Sequence, residues 1–190
     1  MCIRDRSYSV YEQAQRYRAA KAVLQDIYAL DAEHADAVKA LEQLWEEGYT
    51  VAAHQLGKFY RDDLSTLRDH EKAEQWFRCS AEAGNDFSEY ALGKLLLTQK
   101  RTVEALEWLD KAAEQDNQFA RYRLGKIYLT GEFVPKDVEK ALAYLTASAD
   151  QGNQFAQYTL GKLYLLGRDV PPDREQAKEW LIRAAAQGNE

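Results

Sequence analysis

The apolar residues of this chain recur at the spacing expected for amphipathic helices. In residues 154–166, for example, Ala156, Leu160, Leu163 and Tyr164 stand at i, i+4, i+7 and i+8, so they share one helix face. Similar segments occur on both sides of this one. The pattern therefore predicts an all-α fold made of short helices, each with one face buried against its neighbours.

The helical pattern is repeated along the chain. A Leu-Gly-Lys motif occurs four times, and its glycines, Gly57, Gly93, Gly125 and Gly161, are separated by 36, 32 and 36 residues. A second helical segment with an aligned alanine and aromatic residue follows each motif. A glycine kept inside every first helix predicts close contact between helices, because glycine otherwise weakens a helix. The four predicted repeats are residues 49–84, 85–116, 117–152 and 153–190.

Residues with known roles at helix ends mark where each repeat changes direction. An aspartate precedes the second helix of three repeats, where its carboxylate can accept hydrogen bonds from free backbone N–H groups. A glycine, or an aspartate in one repeat, then supplies the left-handed turn that ends this helix. Each repeat is therefore predicted to be a pair of antiparallel helices. The predicted caps are Asp69, Asp137 and Asp173, and the predicted turn residues are Gly84, Gly152, Gly188 and Asp116.

Composition limits the classes of partner. The 190 residues include 31 acidic and 25 basic ones, a formal net charge of −6, which argues against extended binding to nucleic acid or to anionic membranes. No apolar run approaches the roughly 20 residues needed to span a bilayer. Cys2 and Cys79 are far apart and do not form a disulfide scaffold, so we expect a cytoplasmic protein.

The two ends of the chain depart from the repeats. Residues 1–7 share no motif with the rest and resemble the translated end of a sequencing adapter, so we expect a non-native leader there. Residues 8–48 are interpreted as a degenerate N-terminal helix pair or cap. The last repeat stops where the others continue into a further helix, which suggests a fragment of a longer protein.

Three motifs carry a family resemblance. The patterns Ala-x-Tyr-x-Leu-Gly-x-x-Tyr, Gly-x-x-Val-Pro-x-Asp and Ala-x-x-Trp-Leu-x-x-Ala-Ala-x-Gln-Gly-Asn resemble Sel-one-like repeats (SLRs), a helical-repeat family akin to the tetratricopeptide (TPR) proteins. The resemblance covers about residues 49–190. It implies an α-solenoid, a right-handed superhelix of antiparallel helix hairpins, and a non-enzymatic adaptor function.

Motifs for catalysis are missing from the sequence. The three histidines lack metal-ligand spacing, and no serine is followed by lysine at the third position, as Ser-x-x-Lys enzymes require. There is also no glycine-rich phosphate loop. We therefore expect no enzymatic activity, no cofactor and no metal site.

The polar face of the first helices is the candidate binding surface. A Tyr/Lys pair at i and i+4 falls opposite the apolar face in three repeats, and a His/Lys pair takes this place in the first. The lysines are predicted to line a concave groove, although a solvated face without a ligand is the alternative. For the tyrosines the alternative is packing between neighbouring first helices. The candidate residues are His54, Lys58, Tyr90, Lys94, Arg121, Tyr122, Arg123, Lys126, Gln157, Tyr158 and Lys162.

The predicted function is a scaffold or adaptor for protein–protein interaction. A lysine-lined groove would suit a protein or peptide partner with acidic residues. The alternative is a C-terminal accessory region of a larger bacterial enzyme, such as the conjugative relaxase of a mobile element. An enzyme in its own right is a third class, which the missing motifs disfavour.

Overall fold

The computed structural model describes residues 3–62 and 69–188. Met1 and Cys2, the start of the predicted leader, lie outside the described residues. The described residues form helices and contain no strand, which confirms the all-α fold class. The helices are α1 (Ile3–Gln25), α2 (Asp31–Glu46), α3 (Val51–Arg61), α4 (His70–Glu82), α5 (Asp86–Thr98), α6 (Thr102–Glu114), α7 (Gln118–Thr130), α8 (Val138–Asp150), α9 (Gln154–Leu166) and α10 (Arg174–Ala185).

The chain forms two compact units. Unit 1 extends to Leu92 and unit 2 begins at Gly93, so the division falls inside α5. Unit 1 contains the hairpins α1/α2 and α3/α4, and unit 2 contains α6 followed by the hairpins α7/α8 and α9/α10. Each unit thus consists of helix hairpins of the solenoid class.

The core of unit 1 is formed by apolar side chains from α2, α3 and α4. Leu41, Leu44, Leu56 and Phe77 are fully buried. An ion pair between α1 and the residue after α2 holds the first hairpin, with Arg16 Nη1 2.8 Å from a carboxylate oxygen of Glu47. Both of these side chains are partly exposed, so the pair adds little to the stability that the apolar core provides.

The core of unit 2 joins its last two hairpins. Leu145 from α8, Ala156 and Leu160 from α9, and Trp180 from α10 belong to one buried cluster. Leu163 is partly buried and packs against this cluster. The apolar helix face predicted from the sequence therefore faces the core, and the two hairpins stabilise each other through shared apolar contacts.

Side-chain caps begin the last four helices of unit 2, α7 to α10. The carboxylate of Asp173 accepts hydrogen bonds from the backbone N–H groups of Glu175 and Gln176. Asp137 caps α8 in the same way, which confirms the predicted caps. A second set of caps was not predicted from the sequence: Asn117 and Asn153 cap the first helices α7 and α9. The last two repeats therefore use an asparagine before the first helix and an aspartate before the second.

The second helices end in the predicted left-handed turns. Asp116 has φ +63°, a conformation that non-glycine residues rarely adopt, at the position where Gly152 has φ +93° in the next repeat. The shortened repeat has a second residue of this kind, since Lys100 has φ +61° in the loop 99–101 between α5 and α6. The corresponding loop of the next repeat comprises residues 131–137, so the repeat with the 32-residue spacing has the shorter loop and the tighter hairpin.

The repeated glycine allows the two helices of a hairpin to approach closely. A Cβ placed on Gly125 would lie 2.7 Å from Cγ of Leu145, a fully buried residue of α8. A Cβ on Gly161 would lie 2.6 Å from Cγ of Leu181 in α10. Real Cβ atoms do not reach such distances, so any larger residue would push the helices apart. This confirms the close approach predicted from the sequence.

We expect Gly125→Ala to destabilise the protein, although alanine is the better helix former. The propensity gain is about 1 kcal/mol, whereas overpacking a core costs about 1–3 kcal/mol, so the net loss should be about 1 kcal/mol. Urea unfolding of the wild type and the variant measures this difference. In a Leu145→Ala background the same change should become neutral or stabilising. An increase in stability caused by Gly125→Ala in the otherwise wild-type protein would contradict the close contact.

Candidate functional site

Unit 2 contains a cavity between its first helices α7 and α9. The volume of the cavity is about 350 Å³. It is lined on α7 by Tyr122, Lys126 and Leu129, and on α9 by Tyr158, Lys162 and Leu166. We refer to it as the α7–α9 cavity. Four of the predicted binding residues, two tyrosines and two lysines, are thus brought together in one place.

The two lysines give the cavity a positive charge. Neither Lys126 nor Lys162 has a carboxylate within 4 Å among the described residues. The ammonium group of Lys162 lies 5.4 Å from the ring centroid of Tyr158, a cation–π distance. The nearest acidic lining residue, Asp169, is already engaged, because its Oδ1 accepts a hydrogen bond from Lys136. The charge of the two ammonium groups is therefore available to an anionic ligand.

The tyrosines of the cavity differ in their surroundings. Tyr122 packs partly against the core cluster, and its ring centroid lies 6.0 Å from that of Phe155. Tyr158 is 42% exposed. Both alternatives from the sequence analysis therefore apply, one to each residue: Tyr122 packs between helices, while Tyr158 offers its ring to the solvent.

Two further candidate residues of unit 2 are engaged within the protein. Gln157 is only 4% exposed; its Nε2 donates a hydrogen bond to Ala149 O at 3.0 Å, and its Oε1 accepts one from Gln187. Arg121 forms an ion pair with Asp116. The expected open position of Gln157 is thus corrected by the structure, because its side chain fills the space between α8 and α9.

Arg123 lies on α7 outside the residues that line the α7–α9 cavity. Its side chain is partly buried, and its Nε atom is buried without a hydrogen-bond acceptor among the described residues. A buried N–H group without an acceptor is unfavourable, since it has lost its hydrogen bond to water.

The first candidate pair, on α3, lies in unit 1. Lys58 lines a cavity of about 260 Å³ whose wall also carries the carboxylates of Asp26 and Asp62. This cavity has two carboxylates beside one lysine, whereas the α7–α9 cavity has two lysines beside Asp169, which is paired with Lys136, so this cavity offers an anion less net attraction. Tyr90 and Lys94 both lie on α5, where Tyr90 is partly buried and Lys94 is exposed. A single groove lined by all four lysines remains a prediction.

His54 belongs to a buried polar chain in unit 1. Its Nδ1 lies 2.6 Å from Oγ of Ser88, and this hydroxyl donates to Oγ of Ser80 at 2.7 Å. Burial, together with the nearby charges of Lys58 and Arg61, lowers the pKa of His54 to about 4. His54 is therefore neutral at pH 7, and its ring serves the packing of α3 against α5.

The sequence analysis missed the residues that close the α7–α9 cavity at its far end. Leu129 and Leu166 line the last turns of α7 and α9, and Arg168 and Asp169 come from the loop after α9. The sequence spacing could have indicated Leu166, because it follows Lys162 by four residues, just as Lys162 follows Tyr158. Leu166 is 53% exposed, so its side chain is accessible to a ligand.

The described part of the chain gives no support for a metal site or for a membrane-spanning helix. It contains no group of three or more histidine, cysteine, aspartate or glutamate residues arranged to hold a metal ion. None of its helices has both the length and the apolar character needed to cross a membrane.

Comparison with known families identifies the repeats. The family model described as Sel1 repeat matches residues 50–85, 87–117, 118–153 and 154–189. No curated protein is similar enough to count as a relative.

Solved structures with this arrangement of helices come from several bacteria. A Sel1 repeat protein from Oxalobacter formigenes is 30% identical with a TM-score of 0.79, covering 93% of this chain and 74% of that one. A protective antigen of uropathogenic Escherichia coli with an SLR fold is 32% identical with a TM-score of 0.73, covering 80% of this chain. This chain spans about a third (34%) of the antigen's length. Cysteine-rich protein B of Helicobacter pylori shares the fold, at 24% identity and a TM-score of 0.52, covering 66% of this chain and 93% of that one.

Proposed function

Because this chain belongs to the Sel1 repeat family, we propose that it is a non-enzymatic interaction module that holds an acidic protein segment in the α7–α9 cavity. Sel1 and TPR-like repeat proteins generally mediate protein–protein interactions. The resemblance noted in the sequence is confirmed by the family match. The alternative of a relaxase accessory region finds no support in the similar proteins.

The pair of lysines in the α7–α9 cavity carries the proposal. Lys126 and Lys162 are brought together by repetition, since they occupy the same position in consecutive repeats and line the same cavity. Their ammonium groups have no carboxylate within 4 Å among the described residues. The chain as a whole has a net charge of −6, so an acidic ligand would be attracted by the local charge of these two lysines and not by the overall charge.

The walls of the cavity favour a peptide over a small inorganic anion. Leu129, Leu166 and the ring of Tyr158 surround the two lysines with apolar surface. Burial of apolar side chains supplies binding energy that an isolated phosphate or sulfate cannot use. A protein segment with both acidic and apolar side chains would satisfy the whole lining.

The test is selection of binding peptides followed by measurement of their affinities. A random twelve-residue peptide library displayed on phage is selected on the immobilised wild-type protein, and the enriched peptides are synthesised with a fluorescent label. We expect acidic peptides to be enriched. The double variant Lys126→Glu, Lys162→Glu should raise their dissociation constants about tenfold or more, since two favourable charge contacts become repulsive.

A matched variant controls for the change in overall charge. Lys39 and Lys178 are exposed lysines outside the α7–α9 cavity, and changing both to glutamate alters the net charge by the same four units. This variant should bind the peptides as tightly as the wild type, within about twofold. Equal weakening by both double variants, or enrichment of basic peptides, would rule out the cavity as the acidic-partner site.

A further inference from the structure

The outward side of α10 carries a stripe of side chains that the proposed function does not use. Its members on α10 recur at i, i+4, i+7, i+8 and i+11, so they lie on one side of the helix. A leucine near the end of α9 lines the same open depression. This surface shares no residue with the lining of the α7–α9 cavity. We refer to it as the α10 face, which consists of Leu165, Arg174, Lys178, Leu181, Ile182 and Ala185.

In the preceding repeat a helix covers the residues equivalent to the α10 face. Leu181 and Ala185 correspond to Leu145 and Ala149 of α8, 36 residues earlier. Leu145 and Ala149 are only 0% and 1% exposed, and they share a buried cluster with Leu160 of α9. By contrast, Leu181 is only partly buried and Ala185 is exposed. The α10 face is therefore the kind of surface on which a helix packs in this fold, and no helix among the described residues covers it.

The first half of the α10 face is cationic, unlike the equivalent surface of α8. Lys178 stands where α8 has Leu142, which packs against the buried cluster, and Arg174 stands where α8 has Val138. Neither cation has a carboxylate within 4 Å among the described residues. Because they stand four residues apart on one side of the helix, their like charges repel each other. A ligand with acidic side chains would relieve this repulsion.

The second half of the α10 face is apolar. Ile182 is 58% exposed and stands where α8 has the more polar Thr146. Leu181 and Ala185 lie beside it on the same side of the helix. The face thus changes along α10 from two cations to three apolar side chains. This division favours an amphipathic ligand with acidic residues at one end and apolar residues at the other.

The direction of a covering helix follows from the preceding repeat. A turn of three residues, 151–153, joins α8 to α9, so the two packed helices run in opposite directions. A helix that covers α10 in the same manner has its first half beside Ile182 and its second half beside Arg174 and Lys178. The partial negative charge at the C-terminal end of that helix then also lies near the two cations.

Charge distinguishes the possible sources of this helix. The first helices α3, α7 and α9 contain no aspartate or glutamate, so a helix of their type would leave Arg174 and Lys178 without an acidic partner. A second copy of this chain, packed through the same face, would bring two further cations to it. An acidic helix of a different protein matches the α10 face better than either of these.

We propose that the α10 face binds an amphipathic helix of a partner protein, antiparallel to α10. Apolar side chains in the first half of this helix contact Leu181, Ile182 and Ala185, and acidic side chains in its second half pair with Arg174 and Lys178. The α10 face is a second interaction site, independent of the α7–α9 cavity and of the proposed function.

The test uses a labelled peptide of eighteen residues with blocked ends, built on alanine and glutamine so that it forms a helix. Leucines at the fourth, seventh and eighth positions and glutamates at the eleventh and fifteenth share one side of this helix. A second peptide of identical composition carries the glutamates on the opposite side, at the ninth and thirteenth positions. A third has proline in place of the alanine at the tenth position, which breaks the helix. Fluorescence anisotropy should show the first peptide binding about tenfold more tightly than either of the others.

Charge variants locate the acidic contact. The double variant Arg174→Glu, Lys178→Glu should weaken the first peptide about tenfold or more. A version of the peptide with lysines in place of the glutamates should bind this variant more tightly than it binds the wild type. The double variant Lys126→Glu, Lys162→Glu makes the same change in net charge at the α7–α9 cavity, and it should alter the affinity of the first peptide by less than about twofold.

A second pair of variants locates the apolar contact. Ile182→Ser should weaken the first peptide several-fold, because the apolar surface that the peptide covers is lost. Val103 of α6 is 76% exposed and lies outside the α10 face, so Val103→Ser should leave the affinity unchanged.

The outcomes separate this site from the α7–α9 cavity. Weakening of the first peptide by Lys126→Glu with Lys162→Glu, and not by Arg174→Glu with Lys178→Glu, overturns the α10 site and leaves the proposed function standing. A phage-selected peptide that binds the α10 face is instead weakened by the Lys39→Glu, Lys178→Glu variant alone.

The remaining outcomes concern the occupant. Equal binding of the three peptides overturns the acidic helix as the ligand. Tighter binding of a peptide with the sequence of α9 assigns the α10 face to a repeat helix. A dimer that Ile182→Ser dissociates in analytical ultracentrifugation assigns it to a second copy of this chain. Either of the last two results overturns the proposal.

Discussion

Replacement of Leu160 by alanine is expected to lower the free energy of unfolding by about 2–5 kcal/mol. Leu160 is fully buried and contributes to the cluster that joins α8, α9 and α10, together with Leu145 and Trp180. Truncation removes apolar contacts with both hairpins of unit 2 and leaves a cavity between them. Because each hairpin rests on its neighbour, both should lose stability together.

Urea unfolding with hydrogen exchange measures this effect in the variant and in a matched control. Leu165 precedes the helix end on the same helix and is 54% exposed, so Leu165→Ala makes the same chemical change without a buried cavity. It should alter the free energy of unfolding by less than about 0.5 kcal/mol. Backbone amides of α8 and α9 should both exchange faster in the Leu160 variant. Similar small effects for the two variants would show that α9 does not pack against the core through Leu160.

Acidification from pH 7.5 to pH 5 is expected to destabilise the protein by about 2 kcal/mol through His54 alone. Burial lowers the pKa of His54 to about 4 in the folded state, whereas an unfolded histidine titrates near 6.5. Between these values the unfolded chain binds more protons than the folded one, so stability falls as the pH decreases from about 6.5 towards 4. The loss is complete only below the folded pKa.

The variant His54→Gln separates this contribution from that of other titrating groups. Glutamine cannot take up a proton in this range, so its free energy of unfolding, measured in urea at both pH values, should fall by about 2 kcal/mol less than that of the wild type. The comparison uses the difference between the two pH values, which cancels any loss of the contact with Ser88. An equal fall in both proteins would mean that His54 titrates normally in the folded state.

Local patterns in the sequence predicted the parts of the fold that depend on neighbouring residues in the chain. Asp137 and Asp173 cap helices because their side chains reach backbone N–H groups only two or three residues away. Gly125 and Gly161 mark close helix packing because any side chain there would collide with the partner helix. The asparagine caps Asn117 and Asn153 obey the same rule, and the repeated Asn after each turn was the signal that could have revealed them.

The candidate site was only partly predictable. The i, i+4 spacing correctly placed Tyr158 and Lys162 on one face, but it did not show that Gln157 would be buried against α8, or that Arg121 would pair with Asp116. It also assigned His54 to an open surface, whereas the structure places it beside Ser88, 34 residues away. Each of these contacts involves a residue outside the helix that carries the side chain, so the periodicity of that helix does not predict it.

Local sequence patterns account for the helix hairpins, for the position of their glycines and caps, and for the recurrence of one lysine per repeat, because these follow from helix geometry and from contacts a few residues apart. Which of the recurring side chains share a cavity depends on how the hairpins pack. Lys126 and Lys162 meet in the α7–α9 cavity because stacking brings equivalent faces of consecutive repeats side by side, while Lys58 lines a cavity that also carries acidic residues. The charge available to a ligand depends on neighbours from other helices, which fold into place only when the hairpins pack.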